Sequence, residues 1–208
     1  MHQETQAQLA NIDESVFLRI DLRHLDIEHR VGELNRVVES LKYHSQLRSL
    51  DLRHNELTSL PESFGNMTQL INLDLGFNQL TSLPESLGNL AQLQELSLDH
   101  NQLTSLPESL GKLAQLQTLD LGYNQLTSLP DSFGNLAQLQ ALRLQSNQFT
   151  SLPESITQLD KLHSLFLSNN QLKSLPESFG NLAHLKELWL HGNQLKSLPA
   201  STAFLTEL

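Results

Sequence analysis

Cysteine is absent from the 208 residues. A fold stapled by disulfides is thereby excluded, and a reducing, cytoplasmic setting fits. No run of about 18 apolar residues occurs, so nothing in the sequence reads as a membrane-spanning helix. Basic charge is scarce: 13 Lys and Arg stand against 23 Asp and Glu, a formal net charge of -10. Nucleic acid and anionic membranes attract clustered Lys and Arg, so the balance argues against either as the main partner. The stretch MHQETQAQLANIDES at the amino terminus has neither the basic nor the apolar region of a secretion signal. Residues 1–15 are expected to be poorly ordered. Aromatics make up only 5%, with a single tryptophan. The apolar content is mostly leucine, which points to one packing solution used many times.

That solution is a tandem repeat. From Leu47 the chain divides into seven units of 23 residues, beginning at Leu47, Leu70, Leu93, Leu116, Leu139, Leu162 and Leu185. Each approximates LxxLxLxxNxLxxLPxSxxxLxx. The LxL alternation, as in LRSLDL from Leu47 to Leu52, predicts a short strand with one face buried. Strands recurring once per coil pair in parallel. No single coil can bury its leucines alone, so stability comes from stacking neighbours. Asparagine holds the ninth position in all seven units, from Asn55 to Asn193. Its amide both donates and accepts, so it can tie the backbones of adjacent coils together. All seven prolines share one column, from Pro61 to Pro199, which predicts an extended or turn-like segment on that side of each coil. The serine that follows, Ser63 or Ser86 for example, is expected to cap a single short helical turn.

This pattern resembles the leucine-rich repeat family, in particular its 23-residue type, known from bacterial proteins and from plant intracellular Ras-group-related repeats. The match covers residues 47–208. The resemblance implies an α/β solenoid: a horseshoe with a parallel concave sheet and short turns, 3-10 or polyproline II segments on the convex side. Residues 16–46 are expected to form a divergent capping repeat. FLRIDLRHL carries strand alternation with Ile20 and Leu22 inward, and Val31, Leu34, Val37, Val38 and Leu41 fall at helical spacing. This unit resembles the helix-bearing repeats of the ribonuclease-inhibitor type. No comparable cap is legible at the other end, where Thr202 and Ala203 hold positions usually filled by Phe or Leu and by Gly. The expectation there is a fragment of a longer protein, or an end covered by another chain through dimerisation.

No HExxH, Walker loop, GxGxxG or CxxC occurs, and no cofactor is implied. His54 and His100 share the eighth-position column two coils apart, with His24 before them, which is too few placed ligands for zinc. The serines sit mostly in framework columns rather than beside a base and an acid, so no catalytic residues are assigned. The chain is read as a non-enzyme.

The informative positions are those that differ between copies. The third, fifth, seventh and eighth positions of each unit face the concave solvent side. The fifth column reads Asp51, Asp74, Ser97, Asp120, Arg143, Phe166, Trp189, with Asp21 placed before it. The seventh reads Arg53, Gly76, Asp99, Gly122, Gln145, Ser168, His191, with Arg23 before it. Two patches follow. One is acidic, with Asp51 and Asp74 as neighbours and Asp99 and Asp120 beyond, partly neutralised by Arg53. The other sets Phe166 beside Trp189, with His191 adjacent and Arg143 one coil away. Exposed aromatics and arginine are the usual anchors of protein interfaces. Phe77 and Tyr123 in the eighth column are further candidates, although each follows a glycine over whose bare backbone its ring could fold.

The expected function is a protein-interaction module binding a partner on its concave face. Use as a bacterial effector, acting in a host cytoplasm, rests on the family resemblance alone. The alternatives are the substrate-recognition part of a larger enzyme, ubiquitin-ligase-like or GTPase-linked, and a regular scaffold with no specific partner.

Overall fold

The structure, a computed structural model, describes residues 17–19, 27–41 and 47–208. The expectations for residues 1–15, Ile20, Asp21, Leu22, Arg23, His24 and the side chain of Val31 lie outside the described residues. Among the described residues, eight three-residue strands form one parallel sheet in sequence order. They are β1 (Phe17–Arg19), β2 (Ser49–Asp51), β3 (Asn72–Asp74), β4 (Glu95–Ser97), β5 (Thr118–Asp120), β6 (Ala141–Arg143), β7 (Ser164–Phe166) and β8 (Glu187–Trp189). The sheet is open and curved, and the fold is a leucine-rich repeat solenoid. From β2 onward each residue pairs with its equivalent 23 positions later, as in Asp51 with Asp74 and Phe166 with Trp189. Columns of the sequence are therefore rows of the surface.

The first unit departs from expectation. Leu18 pairs with Leu50 and Arg19 with Asp51, so the fifth column begins at Arg19 and not at Asp21. A slip of two residues keeps the same face inward, which is why strand alternation alone cannot reveal it. The helix α1 (Ile27–Leu41) follows β1, and its Leu34, Val37, Val38 and Leu41 are buried in the same core as the repeat leucines. That spacing, i, i+3, i+4, i+7, lays one stripe against the stack.

Within a coil, the first, fourth, sixth, eleventh and fourteenth residues point inward together with Phe64 and Met67 or their equivalents, and in the first six coils all are buried. The ninth-position asparagines join one coil to the next. Asn78 Oδ1 accepts the N–H groups of Asn55 and Leu57, both at 3.0 Å. Its Nδ2 donates back to Leu52 O at 3.0 Å and within its own coil to Leu75 O at 2.9 Å. Asn101, Asn124, Asn147, Asn170 and Asn193 accept in the same way from Leu80, Leu103, Leu126, Phe149 and Leu172. Each amide thus satisfies buried backbone groups of two coils at once.

On the convex side each proline is extended, Pro61 at φ -75° and ψ 152°, and the chain then makes one 3-10 turn such as Glu62–Asn66. Serine does not cap these turns. In six of the turns the proline is the capping residue, with no side-chain hydrogen bond, and the serine lies inside the turn; before Phe179–Asn181 Ser178 takes the capping position, also without a side-chain bond. The acid just after the proline reaches forward instead. Glu62, Glu85 and Glu108 accept the backbone N–H of Ser86, Ser109 and Ser132 in the following coil at 3.2–3.3 Å. The donor here is an otherwise orphaned N–H near the start of a turn, so an acceptor one coil away serves as well as a local one. The glycine of ESFGN is there for clearance: a Cβ on Gly65 would lie 2.3 Å from Ser86 O. Where Thr157 replaces that glycine, the next turn is shortened to Phe179–Asn181.

The last coil is open. Leu198, Phe204 and Leu208 are 52%, 72% and 58% exposed, and Leu188, Leu190 and Leu195 are only partly buried. Among the described residues no helix is long and apolar enough to cross a membrane.

Replacing Asn124 by Ala strands the buried N–H of Leu103 and removes one of two amide donors from each of the carbonyls of Leu98 and Leu121, which keep Asn101 and Asn147. Urea unfolding is expected to show a loss of about 1–3 kcal/mol. Asn193→Ala, in the half-exposed last coil, is expected to cost clearly less.

Candidate functional site

The concave sheet carries three groups of side chains, and the repeat register sets their spacing. The first is acidic and centres on Ser97 of β4. Asp74 and Asp120 flank it in the fifth column, and Glu95 and Asp99 lie two residues before and after it. An open depression of about 290 Å³ over β2 to β6 is lined by these strands, with Ser97 at its middle and Arg143 at one edge. Each aspartate of the fifth column leans on its own strand end: Asp74 Oδ1 and Asp120 Oδ1 accept the N–H of Gly76 and Gly122 at 3.0 Å. Glycine at the seventh position leaves room for the next coil's side chain. A Cβ on Gly76 would sit 2.6 Å from Asp99 Oδ1, and one on Gly122 would sit 2.4 Å from Gln145 Nε2. Asp99 thereby lies across the strand towards Asp74, where it takes the Ser97 hydroxyl at 2.7 Å and His100 Nδ1 at 2.8 Å.

Cations only partly balance this group. Arg53 forks onto Asp51 at 2.8 and 3.1 Å and touches Asp74 at 3.2 Å. Asp51 is fully buried, so of the fifth-column aspartates it is the one removed from the accessible surface. Arg143 stands 3.9 Å from Asp120. Burial pushes the carboxyls of Asp74 and Asp120 above the usual carboxylate value, against the pull of the glycine N–H groups and the arginines.

The second group is the apolar end of the same column. The Phe166 and Trp189 rings meet at 5.9 Å, and His191 lies 5.7 Å from Trp189. The Arg143 guanidinium sits 5.3 Å from the Phe166 ring centre. It therefore bridges the acidic and aromatic halves, with Asp120 on one side and Phe166 on the other. Trp189 is 48% exposed, and its indole N–H is fixed by Glu187 at 2.9 Å.

The third group was not legible as a unit. Phe77 and Tyr123 do not fold over their glycines, because Asp99 and Gln145 fill that space. Their rings stack face to face with two histidines, in the order His54, Phe77, His100, Tyr123, at 4.6, 4.1 and 4.2 Å. The eighth residue of every unit has positive φ, from 52° to 58° at six non-glycine positions and 70° at Gly192. That left-handed kink ends the strand alternation and turns the whole column onto one rim. Left-handed backbone costs about 1–2 kcal/mol per residue, and stacked rings offset about 0.5–1.5 kcal/mol per pair. The stack stops at Tyr123, because Ser146, Asn169 and Gly192 continue the column. Phe77 also separates His54 from His100, so the two histidines do not converge. Sequence reasoning weighed His54 and His100 only as metal ligands and left Glu95 and Ser97 out of the acidic patch. The one available signal was that all four ring-bearing residues of the eighth column are consecutive.

Family models described as leucine-rich repeat region, leucine rich repeat, and leucine rich repeats (2 copies) match residues 85–170, 45–103 and 160–206. No curated protein matches the chain. Solved structures do. An LRR protein of Leptospira interrogans is 29% identical over 98% of this chain and 61% of its own, with a TM-score of 0.69. An internalin, inlF, of Listeria monocytogenes is 28% identical over 81% of this chain and 48% of its own, TM-score 0.70. The LRR ectodomain of the plant membrane receptor kinase GASSHO1/SCHENGEN3 from Arabidopsis thaliana, in complex with CASPARIAN STRIP INTEGRITY FACTOR 2, is 38% identical over 81% of this chain and 21% of its own, TM-score 0.73. The chain thus spans between 21% and 61% of these relatives.

Because burial raises the Asp120 carboxyl, the native state holds its proton to a higher pH than the unfolded chain does. The ionised group then costs stability above the ordinary value of 3.8, and the cost vanishes as pH falls below it. Asp120→Asn, which keeps an acceptor for Gly122, is expected to raise the melting temperature at pH 7, with the difference from wild type closing towards pH 3. Thermal melts at the two pH values check this.

Proposed function

We infer, from the premise that this chain is a leucine-rich repeat protein, that it is a non-enzymatic interaction module whose concave sheet docks a partner protein. Proteins of this family generally act as interaction modules. The observation that carries the reading here is the half-exposed Trp189 beside Phe166, with Arg143 against the ring. Large aromatics held in fixed positions on an open sheet offer contact area at little entropic cost. The framework column of asparagines is meanwhile occupied in coil-to-coil bonds. The plant ectodomain solved in complex with CASPARIAN STRIP INTEGRITY FACTOR 2 supports an extracellular setting as readily as the cytoplasmic or host-cytoplasmic one suggested by the absence of cysteine. The internalin and Leptospira likenesses are compatible with a bacterial interaction protein.

A second reading, a recognition segment within a larger protein, is favoured by the apolar side chains at the last coil, Leu198, Phe204 and Leu208. A further segment or a second copy would cover them. Light scattering of the 208-residue chain separates these: a dimer that Phe204→Glu dissolves assigns the face to a second copy, and a monomer leaves it to a longer protein.

Affinity capture with wild type and with the Phe166→Ala, Trp189→Ala double variant tests the concave reading. Truncating two such anchors is expected to weaken capture at least about tenfold, with circular dichroism unchanged. Full retention of every captured protein would contradict it.

A further inference from the structure

We propose that the partner segment is extended and basic–aromatic: it seats a Lys or Arg side chain over Ser97 and an apolar side chain on Phe166 and Trp189, about five residues apart. This rests on the concave face being the docking surface, and it deepens that reading by fixing the partner's chemistry.

Charge complementarity argues for the basic end. Ser97 is the one small residue in the fifth column between two aspartates, and it opens the depression that Asp74, Asp120 and Glu95 line with it, while Asp99 takes its hydroxyl. The nearby arginines meet only part of this charge: Arg53 forks onto Asp51 and reaches Asp74 at 3.2 Å, and Arg143 lies against the Phe166 ring, 3.9 Å from Asp120. Among the described residues no three of these carboxylates stand close enough together to hold a metal ion. A guanidinium or ammonium on a long stem, which needs no tight convergence, suits the spacing better. The apolar end is argued from Trp189, whose exposed ring is held in place by Phe166 and Glu187.

The register fixes the separation. Phe166 and Trp189 lie three and four strands from Ser97, or about 14 to 19 Å at about 4.8 Å per strand. An extended chain covers that in about five residues at about 3.3 Å each.

Trp189 is the sole tryptophan and reports on its own site. The probes are the synthetic peptide Arg-Gly-Ser-Gly-Ser-Phe, its Glu-for-Arg analogue, its Ala-for-Phe analogue, and a scrambled peptide with Arg next to Phe. Each is titrated against the full chain by tryptophan fluorescence. The first peptide is expected to saturate the signal, to weaken as salt rises, and to bind at least about tenfold more tightly than the other three. Ser97→Arg, which places a cation in the cup, is expected to reduce its binding by a similar factor without lowering the melting temperature. Equal binding of the Glu analogue or the scrambled peptide, or indifference to Ser97→Arg, overturns the proposal. If no peptide binds while the Phe166, Trp189 double variant still loses its captured partner, the basic–aromatic partner is wrong and the concave reading stands. If capture is also unaffected, both fall.

Discussion

Everything in this molecule depends on one amide per coil. The ninth-position asparagine accepts from the coil before it and donates to both coils, and so it ties the turn that follows each strand to its neighbour. Without it, the kink at the eighth residue would leave buried carbonyls and N–H groups unmet. That bond holds successive coils in one register, with a 23-residue offset from β2 to β8. Curvature, the leucine core and the glycine clearances on the convex side all presuppose that register.

A fixed register turns substitutions into geography. The fifth column runs from buried Asp51 through the cup around Ser97 to Trp189, and Arg143 joins the two halves by touching Asp120 and Phe166. Side chains there are free to vary because the asparagines, leucines and convex glutamates carry the stacking. The desolvated carboxylates of Asp74 and Asp120 are a standing electrostatic cost that the arginines only partly relieve. An approaching cation would relieve more of it.

The framework was readable from sequence because seven copies repeat the same inward pattern, and the alternation of a strand needs no coordinates. So were the Asp74, Asp99, Asp120 group and the Phe166, Trp189 pair, since parallel stacking makes column neighbours into spatial neighbours. Three things were not. The first strand's register slipped by two, from Asp21 to Arg19, because alternation has period two and is blind to that shift. The ring stack of His54, Phe77, His100 and Tyr123 depends on left-handed backbone at residues other than glycine, which residue type does not announce. The turn serines looked like caps because of their position, whereas the acceptor that meets the orphaned N–H comes from a glutamate 24 residues earlier.

The central claim is a division of labour: the repeated columns hold the solenoid and the variable concave columns recognise the partner. The absence of cysteine makes a clean measurement available. Single cysteines carrying a photo-crosslinker, placed at Glu187 and Ser164 on the concave face and at Ala114 and Ala137 on the convex side, can be compared for yield of partner adducts. The account predicts adducts from the two concave positions and background from the two convex ones. Equal or greater yield from Ala114 and Ala137 would contradict it.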